Sequence, residues 1–303
     1  MIFVLWGEDK STKNTLALSA PKPLVDMEFD IGGFDRSCRN LPHLPIKDWY
    51  DEGLIRLETY PVPFQIGKLD PIASIIRPSK IVVGMKELFY SFAAKYIQHL
   101  QDPNIKSIMV DTGTLLYDVT CQGYLQELQE KQLIQNVDGS YGDRTKDGKP
   151  LRTQLQQIEY REPYIRMRGF AYQAKAAGKH LIVTHHASDE YGVVRQRDGS
   201  IGVDRTGKRT MHGWSQWGDS ADIVGHTYWD SKERQSYFSV ELAEVKELEG
   251  MVFKQPTYDR ILEMVNLIKS AHTEQEIETI IEQQKGGLEA ESIRKMLVMM
   301  RGE

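Results

Sequence analysis

Four short apolar runs, each closed by a polar residue, set the frame of this chain. They are Ile2–Trp6, Leu24–Met27, Ser107–Val110 and His180–Thr184, followed respectively by Gly7, Glu28, Asp111 and the pair His185-His186. Unbroken apolar stretches of this length with β-branched members suit strands buried on both faces, as in a parallel sheet. Helical patterns lie between them. Thr15-Leu16-Ala17-Leu18 can begin a helix that Pro21 and Pro23 end early. Met85–Leu100 carries a stripe of Leu88, Phe89, Phe92 and Tyr96, stopped by Asp102-Pro103-Asn104. Further helices are predicted over 114–134, 154–177 and 257–268, and further strands over 223–229 and 236–246. Residues 35–84 are mixed. Leu54–Glu58 alternates like a strand, whereas prolines 61, 63, 71 and 78 argue for loop. Residues 138–149 read as an exposed loop, and 192–212, polar and punctuated by glycine, as an extended hairpin or a mobile loop.

The alternation predicts an α/β fold: a mostly parallel central sheet flanked by helices over residues 1–268. Residues 269–303 then form a small helical appendage. Thr273 to Glu276 has the form of a capping box, and Gly286-Gly287 separates two helical stretches. A length of 303 residues accommodates one such domain with an appendage. The formal net charge of −5 excludes a basic nucleic-acid coat, so contact with nucleic acid has to be local. Two cysteines far apart, Cys38 and Cys121, point to no disulfide framework. No apolar run approaches the roughly 18 residues of a membrane span, and the N-terminal apolar run is too short for a signal-peptide core. A soluble protein of the cytoplasm is expected.

The first apolar run leads through a polar turn into a helix. Between a strand and a helix N-terminus, main-chain N–H groups and a lysine can surround a triphosphate. Gly7, Glu8, Asp9, Lys10, Ser11, Thr12, Lys13, Asn14 and Thr15 are the candidate ATP-binding loop, with Lys13 on the β and γ phosphates. Thr12 stands where a second glycine is usual and Asn14 where a serine or threonine is usual. Thr12 has to take a backbone conformation that a Cβ opposes. Asn14 or Thr15 would offer Mg2+ an oxygen. The plainer reading is a lysine-bearing strand–helix turn.

Asp111, at the C-terminal end of its run, sits where a carboxylate supports Mg2+ beside a phosphate crevice. Glu28 ends its own run and could align and deprotonate water. His185 could sense the γ-phosphate by hydrogen bonding. Alone, each has a plainer reading that comes first: Asp111 as a strand-end acid capping the next turn, Glu28 as a solvated acid beside Asp26 and Asp30, and His185 as a core or surface histidine. Together they mark one edge of a sheet, where doubly wound folds bind ligands.

These segments, with Val25-Asp26-Met27-Glu28, Ile108–Thr112 and Leu181–His185, resemble the RecA-like P-loop ATPases. The likeness is greatest to the phage-encoded Sak-type recombination ATPases within the AAA superfamily. Lys10 inside the loop and the proline-flanked Ala20–Leu24 are part of it. The resemblance covers about residues 1–268 in outline. It implies ATP and Mg2+ as ligands, Lys13, Glu28 and His185 in catalysis, and homo-oligomers with ATP between subunits. It also implies a late-strand lysine, here Lys246, that reaches the neighbouring subunit's ATP. For a phage-encoded protein it implies the host cytoplasm. Thr12 and Asn14 depart from the family pattern and put rapid hydrolysis in question more than nucleotide binding.

In such proteins a loop after the sensor strand faces DNA. Here that segment holds Arg195, Arg197, Arg205, Lys208 and Arg209 against Asp198 and Asp204, a local basic surface suited to single-stranded DNA. Trp214 and Trp217 could stack on bases or pack in the core. The expected function is ATP hydrolysis coupled to single-stranded DNA in recombination, repair or phage replication. A DNA-packaging motor, a small-molecule kinase and an ATP-binding module with little turnover are the alternatives. The tail could dock an annealing or replication protein.

Overall fold

The computed structural model describes residues 1–40, 44–64, 66–70, 75–137, 139, 141–195, 201–285 and 287–301. The chain begins with β1 (Ile2–Gly7), α1 (Lys13–Leu18) and β2 (Leu24–Glu28). Then come α2 (Gly33–Asn40), α3 (Ile46–Asp51), β3 (Ile55–Thr59), β4 (Ile66–Asp70) and β5 (Ile75–Pro78). The middle of the chain supplies α4 (Met85–Gln101), β6 (Ser107–Asp111), α5 (Gly113–Gln132), β7 (Leu133–Gln135), β8 (Tyr141–Thr145) and α6 (Arg161–Ala176). The remainder is β9 (His180–Arg195), β10 (Ile201–Met211), β11 (Ile223–Asp230), β12 (Gln235–Ala243), β13 (Val252–Lys254), α7 (Tyr258–Lys269), α8 (Glu274–Lys285) and α9 (Ala290–Arg301).

The main sheet runs β13-β12-β11-β1-β9-β6-β2-β3, with β10 paired to the far half of β9. From β11 to β3 every pairing is parallel, and β12 and β13 add antiparallel strands at one edge. The expected architecture, a mostly parallel sheet flanked by helices with helices at the C-terminus, is present. Every residue of β1, β2 and β6 is buried, as continuous apolar runs between two helical layers require.

Alternate residues of each strand feed two cores. One holds Val25, Met27, Ile108 and Val110 against Phe89, Phe92, Tyr96 and Phe170 of α4 and α6. The other holds Leu24, Met109, Ile182 and Phe238 against Leu16 and Leu18 of α1 and Tyr258, Ile261 and Met264 of α7. Ile280, Ile293 and Leu297 of α8 and α9 are buried in this second core, and Gln284 Nε2 donates to the Val252 carbonyl at 3.0 Å. The tail therefore packs on the sheet domain. Thr273 Oγ1 accepts from the Glu276 amide (3.2 Å), as in a capping box, while Glu276 Oε2 accepts from the His272 amide (2.7 Å), one residue before the cap. Gly286 lies outside the described residues.

Several segments differ from the sequence expectation. Gly33–Asn40 and Ile46–Asp51 form two short helices that the sequence left unassigned. Of the two readings of 192–212, the hairpin is the one present: among the described residues β9 and β10 form an antiparallel ribbon, with Val193 opposite Val203 and Ala187 opposite Met211. The last long strand stops at Ala243, because residues 246–248 turn into a short 3₁₀ segment. Trp214 and Trp217 are each 1% exposed and meet edge to face, centroids 4.7 Å apart. They are core, so neither is a surface for bases. Cys38 and Cys121 are free thiols. Among the described residues no helix is long and apolar enough to cross a membrane.

Gly225 has no space for a side chain. A Cβ there would stand 2.4 Å from the Phe238 ring and 2.5 Å from the Ser239 carbonyl oxygen. Overpacking of this kind costs about 1–3 kcal/mol. Gly225→Ala is expected to lower the urea midpoint accordingly, and an unchanged midpoint would show that β11 and β12 are not clamped this closely.

Candidate nucleotide site

The strand-to-helix loop after β1 is held in an unusual backbone conformation. Lys10 and Thr12 have φ of 63° and 69°, the left-handed region that glycine enters most easily. Thr12, in place of the expected second glycine, adopts that region directly before α1. Lys13 is 7% exposed. Its ammonium donates to the carbonyls of Gly7 (2.9 Å) and Glu8 (2.8 Å). Burial lowers its pKa, while Asp111, Asp9, Glu8 and Asp30 oppose that shift. Gly7 is needed for close approach: a Cβ would lie 2.3 Å from the Thr227 carbonyl oxygen and 2.7 Å from Ser11 Oγ.

Beside this loop lies a cavity of about 400 Å3, walled by loop residues 9–15 and by Asp30, Gly33, Arg36, Asp111 and His186. Its floor is polar because β2 and β6 end side by side, Glu28 opposite Asp111. Asp111 is 1% exposed and clamped from two elements. Thr184 Oγ1 of β9 donates to Oδ1 at 2.6 Å and Asn14 Nδ2 of α1 to Oδ2 at 2.5 Å. Asn14, which lines the cavity, thus spends its amide nitrogen on Asp111. Glu28 is 2% exposed, with Oε1 accepting from the Phe34 amide at 2.9 Å. Asp30 pairs with Arg36 at 2.9 Å.

The three polar side chains converge on Gly33. A Cβ there would sit 2.4 Å from Asp111 Oδ2, 2.5 Å from Asn14 Nδ2 and 2.9 Å from Glu28 Oε1. In sequence Gly33 marks only a turn; its crowding appears when the strand ends meet. Thr15, 1% exposed, also lines the cavity. A buried lysine, two clamped carboxylates and an amide oxygen are a donor set that fits a magnesium–polyphosphate ligand. Mg2+ takes one or two protein carboxylates and completes its shell with phosphate and water. Among the described residues no three His, Cys, Asp or Glu side chains form a ready-made metal cage.

The histidine pair divides between the sheet faces. His186 lines the cavity, its Nδ1 3.5 Å from Asp9 Oδ1. His185 lies on the other face, wholly buried against Trp217 and under Gly113. Burial brings its pKa down to about 3, so it is neutral at physiological pH. Its Nδ1 is 2.9 Å from the His212 carbonyl and 3.3 Å from Thr114 Oγ1, and Thr114 Oγ1 also donates to that carbonyl. The polar position of β9 facing Asp111 is Thr184, a residue passed over in the sequence although period-two alternation puts it on that face.

Lys246 is in the 3₁₀ turn, 2.7 Å from Glu249 Oε1 and 73% exposed. It follows the end of β12 that pairs with the start of β11, the sheet edge opposite the loop. On the ribbon, Arg205 pairs with Asp189 (3.1 Å), and Arg209 with both Asp189 (2.5 Å) and Glu8 (2.5 and 3.0 Å). Arg195 and Lys208 are exposed, with no side-chain partner among the described residues. Arg197 lies outside the described residues. One face of the ribbon exposes Tyr191, Val193, Ile201 and Val203, which the sequence reading did not single out.

No family model matches the chain, and no curated protein matches it. Among solved structures, a crystal structure of the RadB recombinase is similar to it with a TM-score of 0.43 and 13% identity, covering 84% of this chain and 85% of that one.

Asp26 lies two residues before Glu28 on the same face, 0% exposed, with no hydrogen-bond partner for either carboxylate oxygen among the described residues. Burial raises its pKa well above the ordinary range, and the charges of Asp111 and Glu28 push the same way. Burial likewise lifts Asp111 to about 7. Groups whose pKa is higher folded than unfolded bind extra protons in the native state. Their stabilisation is full below about pH 4 and is lost as pH rises toward and through the folded pKa. Asp26→Asn is therefore expected to raise the urea midpoint more at pH 8 than at pH 5. An equal effect at both would show that Asp26 does not titrate this way.

Proposed function

We propose that this chain is an ATP-binding and ATP-hydrolysing protein of the RecA-like type, acting on single-stranded DNA in recombination, repair or phage replication. The observation that carries the reading is the convergence of Asn14, Glu28 and Asp111 on Gly33, beside the lysine-bearing loop. Those groups come from the ends of adjacent parallel strands and the helix after the first, where a doubly wound sheet receives its ligand.

Lys13 supplies a cation to the β and γ phosphates, exchanging the carbonyls of Gly7 and Glu8 for them. Main-chain N–H groups at the start of α1 point to the same place. The Asn14 carbonyl oxygen, the Thr15 hydroxyl and Asp111 would hold Mg2+, which neutralises phosphate charge when bound. Thr184 orients Asp111. Glu28, with Oε1 fixed by the Phe34 amide, aligns and deprotonates the attacking water through its other oxygen. His186 is the histidine that faces the γ-phosphate end.

His185 acts from below. With Thr114 it joins the segment after Asp111 to the His212 carbonyl at the root of the ribbon. Arg195, Arg197, Arg205, Lys208 and Arg209 were expected to meet DNA phosphates. Arg195 and Lys208, which have no side-chain partner among the described residues, are the principal contacts in our reading, with bases against Tyr191 and the neighbouring apolar face. Homo-oligomers and a partner docked on α8 and α9 belong to the same proposal. Lys246 has no part in ATP chemistry within its own subunit.

ATP turnover of wild type and Lys13→Ala, each with and without single-stranded DNA, tests the core of this. DNA-stimulated hydrolysis, falling in Lys13→Ala by about 100-fold or more as when a transition-state cation is lost, is expected. Tight ATP binding without turnover would establish a binding module instead, and turnover that ignores DNA but responds to a metabolite would establish a kinase.

Arg195→Ala with Lys208→Ala is expected to weaken oligonucleotide binding and to reduce the slope of log affinity against log salt by about 1.4, at about 0.7 per single-strand phosphate contact. An unchanged slope would remove the ribbon as the DNA surface.

A further inference from the structure

Two acids stand in the loop that surrounds the proposed phosphate site. Glu8 and Asp9 follow Gly7 directly, and uncompensated carboxylates there would repel a triphosphate. Both meet side chains from the β9–β10 segment. His186 Nδ1 is 3.5 Å from Asp9. The Glu8 contact is closer and geometrically specific: Arg209 Nε meets Oε1 at 2.5 Å and Nη2 meets Oε2 at 3.0 Å. This is the two-pronged arrangement that guanidinium and carboxylate form best.

Three features show that the contact is built into the ribbon. Asp189 is the cross-strand neighbour of Arg209 and takes its Nη1 at 2.5 Å, so the guanidinium is held from two sides. The strand register shifts between Arg205 and Arg209, and Gly207 in that interval has a φ of 83°. Irregularities of this kind re-aim side chains. The main chain of Glu8 also accepts from Lys13 Nζ at 2.8 Å. Arg209 therefore grips the side chain of the residue whose carbonyl sets the lysine.

We propose that Arg209 is a positioning residue of the nucleotide site, neutralising Glu8 and fixing the loop for a triphosphate, rather than a contact to nucleic-acid phosphate. The inference rests on the nucleotide reading above. Its content is separate: it moves one arginine from the nucleic-acid surface to the phosphate site. A guanidinium with its fork on Glu8 and its remaining edge on Asp189 has no donor pair left for a phosphate on the ribbon. Removing it leaves the Glu8 charge beside the ligand. Removing both charges restores neutrality.

Binding of a fluorescent ATP analogue with Mg2+, and of a labelled single-stranded oligonucleotide, separates the possibilities in wild type, Arg209→Ala, Glu8→Gln and the double variant. Arg209→Ala is expected to weaken the ATP analogue about three- to tenfold, the scale of one partly screened charge. The double variant is expected to recover to within about twofold of wild type, with oligonucleotide affinity unchanged throughout. That recovery is a charge effect a merely structural role would not give. Unchanged analogue affinity in Arg209→Ala, a double variant as weak as the single, or a loss confined to the oligonucleotide would each overturn the assignment. Absence of analogue binding by wild type would instead remove the nucleotide reading, and this inference with it.

Discussion

The clamp on Asp111 is the interaction on which the site depends. One buried carboxylate receives Thr184 from β9 and Asn14 from α1 while standing opposite Glu28 on β2. Three chain segments, β6, β9 and α1, are thereby tied together by hydrogen bonds, beside the end of β2. A buried carboxylate is costly unless it is hydrogen-bonded and its charge is balanced. Here the hydrogen bonds are supplied, but Asp26 and Glu28 add carboxyl groups on the same face, and the buried Lys13 is the cation that interacts with Asp111. The excess of negative potential is a reason for protonation or for a metal ion. A dication held with a polyphosphate would satisfy it at the point where Asp111 meets the cavity.

The loop opposite shows a complementary constraint. Lys10 and Thr12 hold left-handed conformations that cost non-glycine residues of order 1–3 kcal/mol each. The surroundings enforce this: Gly7 is pressed against Thr227, and Lys13 is anchored on two carbonyls. Strain that persists in a loop beside clamped carboxylates is understandable if the shape serves a ligand. The same shape from glycine would be more easily deformed, so Thr12 trades adaptability for a fixed curve.

Much of this was legible in sequence for a definite reason. Parallel strands buried on both faces leave unbroken apolar runs, and the residue after each run marks the sheet edge. Glu28 and Asp111 were found that way and lie beside the cavity. What a run cannot give is the face on which its last residues point when the strand continues. β9 extends to Arg195, so His185 did not mark its end; it faces the core, while Thr184 and His186 take the other side. Gly33 was hidden because its crowding comes from three partners remote in sequence. Gly33–Asn40 and Ile46–Asp51 were obscure because these helices are too short to show a period. Lys246 was misplaced with its strand, which ends at Ala243 before the chain turns.

The ribbon shows why charge counted along a sequence differs from charge in space. Residues 195–212 read as basic because Asp189 and Glu8 lie outside that window. In the fold those two acids engage Arg205 and Arg209, the second of them from the other end of the chain. The surface offered to a polyanion is thus smaller than composition suggests and closer to the ribbon tip, where Arg195 stands among Tyr191, Val193, Ile201 and Val203. A few cations beside an exposed apolar face favour a ligand with accessible bases over a duplex, whose bases are turned inward and whose recognition leans on phosphate contacts. That physical preference, more than the number of arginines, is the argument for proposing a single strand.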